Sequence, residues 1–278
     1  MRFKKPLGVI GTPISHSLSP LLHNYLANEY ELPFQYSAYH VDKISLEDAI
    51  SGARALGFRG LNVTVPHKKN IMPFLDEIDE FALKTGAVNT VLFEDEFTTG
   101  YNTDIFGFLD SLAIESVDLS GKNVIVLGAG GAAHAIVFAA KNAGARTINI
   151  VNRTHEKAVD LAQKTGCEAI NFSKFTETPT GDVVINTTSV GMYPEVTKCP
   201  VPQSVFREKC VYVDIVYNPG LTQFLKFAHD SGAKIVSGIG MLIFQGIMAM
   251  EIWSGVKIDR QKHFEPLKKL LVNAIENQ

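Results

Sequence analysis

The sequence predicts an α/β protein of two open, layered domains. Short β-branched apolar runs alternate with helical periodicity twice along the chain, and each series has its own supply of core residues. A glycine-rich turn between a strand and a helix, Gly128 to Ala133, stands at the head of the second series. The length of 278 residues is long for one layered domain and comfortable for two.

In the first series Leu7–Gly11, Gln35–Val41, Gly60–Val65 and Asn89–Phe93 read as strands, with Pro20–Glu29 and Leu46–Leu56 as helices between them. Such alternation implies a mainly parallel sheet covered on both faces. A helix at Phe106–Ser120, ending in the polar turn Asp118–Lys122, forms the junction. The second series has strands at Val124–Leu127, Thr147–Val151, Val183–Asn186 and Val211–Ile215, and helices at Ala132–Asn142, Glu156–Lys164 and Leu221–Asp230. After Val236 the pattern is helical to the end, and these helices could cap either unit. The stretch Gly238–Met250 is the most apolar, falls well short of the ~20 residues that span a bilayer, and reads as a buried helix.

A hydrophobic share of 46% supports a buried core, and a net charge of −3 offers no basic excess for a nucleic-acid backbone. Cys167, Cys199 and Cys210 form neither a disulfide framework nor a zinc motif, and read as free thiols of a reducing cytoplasm. The basic start Arg2, Lys4 and Lys5 is followed by Pro6 and Pro13, which leave no secretory apolar segment. The eight histidines show no HxH or HExxH grouping, so no metal site is expected. Monomer and homodimer both remain open.

Gly128, Gly130 and Ala133 follow a strand and open a helix, which is GxGxxA in its proper setting and makes the second domain Rossmann-like. Gly128 permits the tight turn. Gly130 lets backbone N–H groups approach a pyrophosphate, and Ala133 allows close helix–strand packing. An anion then rests on a helix N-terminus, where free N–H groups and the helix dipole favour negative charge. An NAD enzyme places Asp or Glu at the end of the next strand, to accept from the ribose 2′-hydroxyl. Here Asn152, Arg153 and Thr154 stand there, with Lys157 nearby. Arg153 is a permanently charged fork suited to a phosphate, which favours NADP. Thr154 could equally be a plain helix N-cap.

Three polar clusters mark the first series. Ser15 and Ser17 flank a turn before a helix, whereas Ser19 and Pro20 read as N-cap and first helical residue. Asn62 and Thr64 lie two apart, and so on one face, in an otherwise apolar strand. Lys68 follows at the strand's carboxyl end, where open α/β sheets bind ligands, although most lysines are simply solvated. Asp104 could cap the following helix, or Asn102 or Thr103 could do so and leave Asp104 facing a cleft. Gln245 shares a helix face with Met241, Met248 and Ile252, and its amide needs a partner if buried, either a ligand hydroxyl or a backbone carbonyl.

The ordered set Ser15–Pro20, Asn62–Lys68, Gly86–Thr90, Asn102–Asp104, Gly128–Ala133, Asn152–Thr154, Asp214–Pro219 and Gly240–Gly246 resembles the shikimate dehydrogenases over nearly the whole chain. Each motif is weak singly, and the order makes the set specific. The resemblance implies reversible, NADPH-linked reduction of 3-dehydroshikimate to shikimate in aromatic amino acid biosynthesis, with Lys68 and Asp104 as the catalytic pair. It places Ser15, Ser17, Thr64, Asn89, Tyr217 and Gln245 around the substrate. It puts Gly128, Ala129, Gly130, Gly131 and Ala132, then Asn152, Arg153 and Thr154, and also Thr188, Ile215 and Gly238, on the cofactor. It also implies a substrate domain of residues 1–106 completed by helices of 238–278, and an NADP domain of 107–237. His134 departs from the arginine expected there, and Met248 and Met250 from smaller or aromatic residues. A quinate or dual-specificity dehydrogenase and a non-catalytic NADP sensor are the competing readings. Arg153 speaks against an NAD-preferring relative, and Lys68 with Asp104 against a sensor.

In the implied chemistry Lys68 gives a proton to the carbonyl oxygen during reduction and removes it in reverse. A nearby carboxylate favours the ammonium form, whereas burial and an oxidised nicotinamide push the other way.

Overall fold

The computed structural model describes residues 4–94 and 97–277. The chain divides into two compact units, Met1–Thr103 with Gln245–Ala274 and Asp104–Phe244 with Ile275–Gln278.

Unit 1 runs β1 (Lys5–Gly11), α1 (Ser19–Glu29), β2 (Phe34–His40), α2 (Leu46–Ala55), β3 (Gly60–Val63), β4 (Glu77–Ile78), α3 (Glu80–Thr85), β5 (Thr90–Phe93) and β6 (Thr98–Tyr101). These strands form one six-stranded sheet in the order β2-β1-β3-β5-β6-β4. β1 pairs in parallel with β2 and β3, as the helical crossovers require. β5 pairs antiparallel with β3 and β6, because too few residues separate β5 from β6 for a crossover. Ile10, Leu46, Ile50, Leu61, Ile71 and Val91 pack together in its core.

Unit 2 runs α4 (Asp104–Ile114), β7 (Asn123–Leu127), α5 (Gly131–Asn142), β8 (Thr147–Asn152), α6 (His155–Thr165), β9 (Glu168–Asn171), α7 (Phe172–Glu177), β10 (Val183–Asn186), β11 (Val211–Asp214), α8 (Gln223–Asp230) and β12 (Lys234–Val236). Its sheet has the order β12-β11-β10-β7-β8-β9, and every strand is parallel to its neighbours. That is the doubly wound order, which reverses direction between β7 and β10 and opens a crevice at their carboxyl ends. Ile125, Leu127, Val184, Tyr212 and Phe224 fill one core layer, and Ala133, Ile136 and Val137 of α5 are fully buried.

Two long helices follow, α9 (Gly238–Ser254) and α10 (Arg260–Glu276). Among the described residues no helix is long and apolar enough to cross a membrane. The division between the units falls inside α9, after Phe244, so its first two turns stay with unit 2 rather than leaving it at Gly238. The cause is close packing: a Cβ at Gly238 would lie 2.4 Å from the Ile215 carbonyl oxygen and 2.7 Å from that of Val216. The later turns of α9 dock on the first sheet through Trp253. Its indole Nε1 donates to the Val91 carbonyl at 2.9 Å and crosses β3 at Gly60, where a Cβ would sit 1.9 Å from that nitrogen.

β3 and β11 each end earlier than the apolar runs suggest, at Val63 and Asp214. β4, β6, β9, β12, α3 and α7 have no counterpart among the segments expected from the sequence. Each has six residues or fewer, too short for a periodicity to register.

Candidate functional site

The candidate residues fall into one set in each unit. In unit 1 the carboxyl ends of β1 and β3 lie side by side. The Thr64 N–H donates to the Ile10 carbonyl at 3.0 Å and carries the ladder one residue past β3. A Cβ at Gly11 would stand 2.5 Å from the Thr64 methyl, so glycine there lets the Thr64 side chain lie against β1. Ser15 is exposed and Ser17 half-buried in the turn before α1. The Ser17 hydroxyl accepts the Ser19 N–H at 3.3 Å. Ser19 is the buried first residue of α1, and Leu18 occupies the cap position without a side-chain bond. Ser17, rather than Ser19, thus supplies an acceptor at the helix start, and Ser19 lies inside the helix.

Lys68 is half-buried in the turn after β3, and its carbonyl accepts the Val88 N–H at 2.8 Å. That bond fastens the Lys68 turn to the segment leading into Asn89. Asn89 is buried. Its Oδ1 accepts from the Thr103 N–H at 2.8 Å and the Thr90 hydroxyl at 3.0 Å, and its Nδ2 donates to the Thr103 hydroxyl at 2.9 Å. Asn62 is also buried. Its Oδ1 accepts the Tyr36 hydroxyl at 2.7 Å, and its Nδ2 donates to the Asn89 carbonyl at 3.2 Å and to Thr90 Oγ1 at 3.0 Å. Both Nδ2 hydrogens of Asn62 are engaged within the fold, which restricts any ligand contact from this amide to its oxygen. Gln245 is half-buried on α9. Met241, Met248 and Ile252 on the same face are half-buried too, so this stripe is the more open side of α9, whereas Ile243, Phe244, Ile247 and Met250 are buried.

Asp104 opens α4 in unit 2 and is buried, with 6% of its surface exposed. A carboxylate in the first turn of a helix is favoured by the helix dipole. Tyr217 is half-buried after β11, and burial raises its phenol above the usual range.

The dinucleotide candidates surround the amino end of α5. Gly128 has φ +113°, and a Cβ there would lie 2.6 Å from the Thr187 hydroxyl and 3.1 Å from the Thr188 methyl. Both demands exclude a side chain. Gly130, in the N-cap position, and Gly131 are exposed, with open space where a Cβ would stand, and Ala133 is fully buried. The first turn of α5 therefore offers bare backbone N–H groups, which fits a pyrophosphate. At the end of β8, Arg153 and Thr154 are exposed, and Asn152 Nδ2 donates to the Thr154 carbonyl at 2.8 Å. Thr154 takes the N-cap position of α6 but makes no side-chain cap bond, so its hydroxyl is not consumed by the helix. Lys157 is exposed on the first turn of α6. These groups fit the extra phosphate that distinguishes NADP.

Thr188 spends its hydroxyl on Asn186 Oδ1 at 2.7 Å and the Val190 N–H at 3.2 Å, and presents its methyl toward Gly128. The wall of the glycine turn is built as much by Thr187, which the sequence does not single out. The Thr187 hydroxyl donates to the Leu127 carbonyl at 2.8 Å. Ile215 and Gly238 are brought together by the contact that begins α9. Beneath them lies fully buried Asp214. It accepts from Asn186 Nδ2 at 3.0 Å, the Val216 N–H at 3.0 Å and the Thr222 hydroxyl at 2.6 Å. Burial nonetheless outweighs these bonds and lifts its carboxyl to about 6. The three cysteines are free. Burial raises the thiols of Cys199, to about 11, and Cys210, so both stay protonated and unreactive near neutral pH.

A doubly wound sheet with a bare glycine turn, an arginine at the second strand's end and a second α/β unit carrying Lys68 defines a dinucleotide-dependent oxidoreductase. Residues 9–91 match the family model described as the shikimate dehydrogenase substrate binding domain, and residues 111–219 that described as shikimate / quinate 5-dehydrogenase. The shikimate dehydrogenase (NADP(+)) of Caldanaerobacter subterraneus subsp. tengcongensis is 42% identical over 270 residues, 95% of this chain and 96% of that one. A crystal structure of a shikimate dehydrogenase in complex with NADP+ has a TM-score of 0.91 at 38% identity, covering 98% of this chain and 96% of the other. The Thermus thermophilus shikimate 5-dehydrogenase, in complex with NADP(H) and shikimate, has a TM-score of 0.88 at 34% identity, covering 96% and 99%. The chain belongs to the shikimate dehydrogenase family.

Proposed function

We propose that this protein is an NADP-dependent oxidoreductase that interconverts 3-dehydroshikimate and shikimate, with residues 1–106 and the C-terminal helices serving the substrate and 107–237 the cofactor. The observation that carries this reading is kinship to shikimate dehydrogenases over 95% of the chain at 42% identity. The geometry supports it with a cofactor cradle in unit 2 and a polar strand end in unit 1.

The N–H groups of Ala129, Gly130, Gly131 and Ala132 would hold the pyrophosphate, with Gly128, whose own N–H donates to the Val151 carbonyl at 2.8 Å, making the turn beneath it, and Arg153, with Asn152, Thr154 and Lys157, would hold the ribose phosphate. Thr188, Ile215 and Gly238 line the rest of the cofactor. When bound, NADPH supplies the hydride. The chain's own task is to orient the substrate and move one proton. Ser15, Ser17, Thr64, Asn89, Tyr217 and Gln245 bind the substrate's carboxylate and hydroxyls, and Asn62 adds an acceptor. Lys68 donates a proton from Nζ to the carbonyl oxygen during reduction and takes it back from the hydroxyl during oxidation. Asp104 accepts from Lys68 and from a substrate hydroxyl and keeps both in line.

Each chain carries both sets of residues, so monomer and homodimer serve equally. A cytoplasmic setting is supported by the three free thiols. Formation of NADPH, followed by absorbance with shikimate and NADP, tests the reading directly. Lys68→Ala is expected to retain NADPH binding and to lose at least about a hundredfold in kcat. Near-native turnover in that variant would remove Lys68 from the mechanism, and no turnover in the native protein would refute the function.

A further inference from the structure

We infer that Thr90, anchored through Asn62 by Tyr36, is a positioning residue of the substrate site: its hydroxyl ties the amide of Asn62 to that of Asn89 and holds both in place. The inference rests on the functional reading above, which places both amides at the substrate.

The directions of these hydrogen bonds follow from two backbone groups, the Thr103 N–H, which can only donate, and the Asn89 carbonyl, which can only accept. The Thr103 backbone N–H lies 2.8 Å from Asn89 Oδ1, so that atom must be the amide oxygen. The Thr90 hydroxyl is 3.0 Å from the same oxygen and must spend its proton there. Thr90 Oγ1 can then only accept from the Asn62 atom at 3.0 Å, which makes that atom Nδ2. The other end of the Asn62 amide is consequently Oδ1, and it receives the Tyr36 hydroxyl at 2.7 Å. The Thr103 N–H and the Asn89 carbonyl thus set the sense of a chain that runs Tyr36 to Asn62 to Thr90 to Asn89, and on from Asn89 Nδ2 to Thr103 at 2.9 Å.

All five residues are buried. Asn62 and Thr90 are direct cross-strand partners of β3 and β5, so their side chains meet on one face without distortion. Burial also raises the Tyr36 phenol far above its usual range, so it keeps its proton near neutral pH. Thr90 is the one member that both receives from one amide and donates to the other. Without its hydroxyl Asn62 Nδ2 keeps only the Asn89 carbonyl at 3.2 Å and Asn89 Oδ1 loses one of its donors, so both amides are held less firmly. Thr103 is followed directly by Asp104, so the same chain steadies the first turn of α4.

The test compares Thr90→Val, which removes the hydroxyl at nearly constant shape, Thr90→Ser, which restores it, and Tyr36→Phe, which removes only the first donor. T90V is expected to raise the shikimate KM about tenfold with the NADP KM unchanged, and T90S to return it to within about twofold of native. Y36F acts at the far end of the chain and is expected to raise the shikimate KM about threefold, again with the NADP KM unchanged. A purely structural role would lower the melting temperature and affect both KM values alike, or leave both unchanged. Either result in T90V, or in Y36F if T90V does not fold, overturns the inference. A native protein that does not oxidise shikimate refutes the functional reading instead and takes the inference with it.

Discussion

His23 lies at the centre of unit 1 with no exposed surface, and neither ring nitrogen has a hydrogen-bond partner. Its ring stacks on Tyr36, with centroids 4.2 Å apart and planes 14° from parallel, and lies 5.2 Å from the Trp253 ring. Burial lowers its pKa to about 3, against a weak opposing pull from Asn62. The unfolded chain takes up a proton near pH 6.5 and the folded chain does not, so the stability due to neutral His23 is complete above 6.5 and lost as pH falls toward 3. The full effect is on the order of 5 kcal/mol, of which about half is lost between pH 7 and pH 4.5. His23→Phe keeps the stacked ring and removes the titration. Any overpacking from the larger ring is independent of pH and cancels in the difference between the two pH values. Trp253 is the single tryptophan and belongs to unit 1, so its fluorescence in urea reports this unit alone. The variant is expected to lose about 2 to 3 kcal/mol less than the native protein between pH 7 and pH 4.5. Equal losses in the two proteins would show that His23 is not held neutral in the fold and would refute the reasoning.

Arg153→Ser is expected to raise the NADP KM about tenfold to a hundredfold, the worth of a charge-assisted phosphate contact, and to leave the shikimate KM unchanged. Steady-state kinetics with each substrate varied in turn check this. For Asp214 the sign runs opposite to His23: its folded pKa of about 6 exceeds the unfolded 3.8, so the folded state holds the proton more tightly and stability falls as pH rises between those values. Asp214→Asn should abolish that fall, about 3 kcal/mol in all, in urea titrations of unit 2 followed by hydrogen exchange on β10 and β11. Gly238→Ala must push α9 off the Ile215 and Val216 carbonyls. The expected cost is about 2 kcal/mol of stability together with a raised NADP KM, read by denaturation and kinetics.

The parts of the fold that a reader of the sequence recovers are those whose cause is local. The Gly128 turn is one: a φ of +113° and a neighbour at 2.6 Å are demands on a single residue, and they show as a glycine between a strand and a helix. The β-branched apolar runs that became β7 and β10 are others, since nearly every position in them is buried, which favours apolar side chains. Gly60 shows the opposite case. In the sequence it is only a weak start to a strand, and its requirement appears when Trp253, far along the chain, lays an indole across it. β6 is hidden for a related reason: its four residues, Thr98–Tyr101, draw their order from pairing with β5 rather than from any pattern of their own.

The same distinction separates the two halves of the site. Arg153 and Lys68 are legible as candidates because each is a charged residue at the carboxyl end of a parallel strand, where open α/β sheets bind ligands. Asn62 was legible as a polar residue on an apolar strand, but its engagement within the fold was hidden, because its partners come from three other positions, Tyr36, Asn89 and Thr90. A motif records which residues are present, whereas the direction of a buried hydrogen-bond chain depends on which atom of each amide meets which donor. Here that direction follows from the Thr103 N–H and the Asn89 carbonyl, backbone groups that no side-chain pattern encodes. A substrate pocket can therefore carry the expected residues and still bind poorly if Thr90 is lost, since the sequence would keep both asparagines and only their anchoring would change.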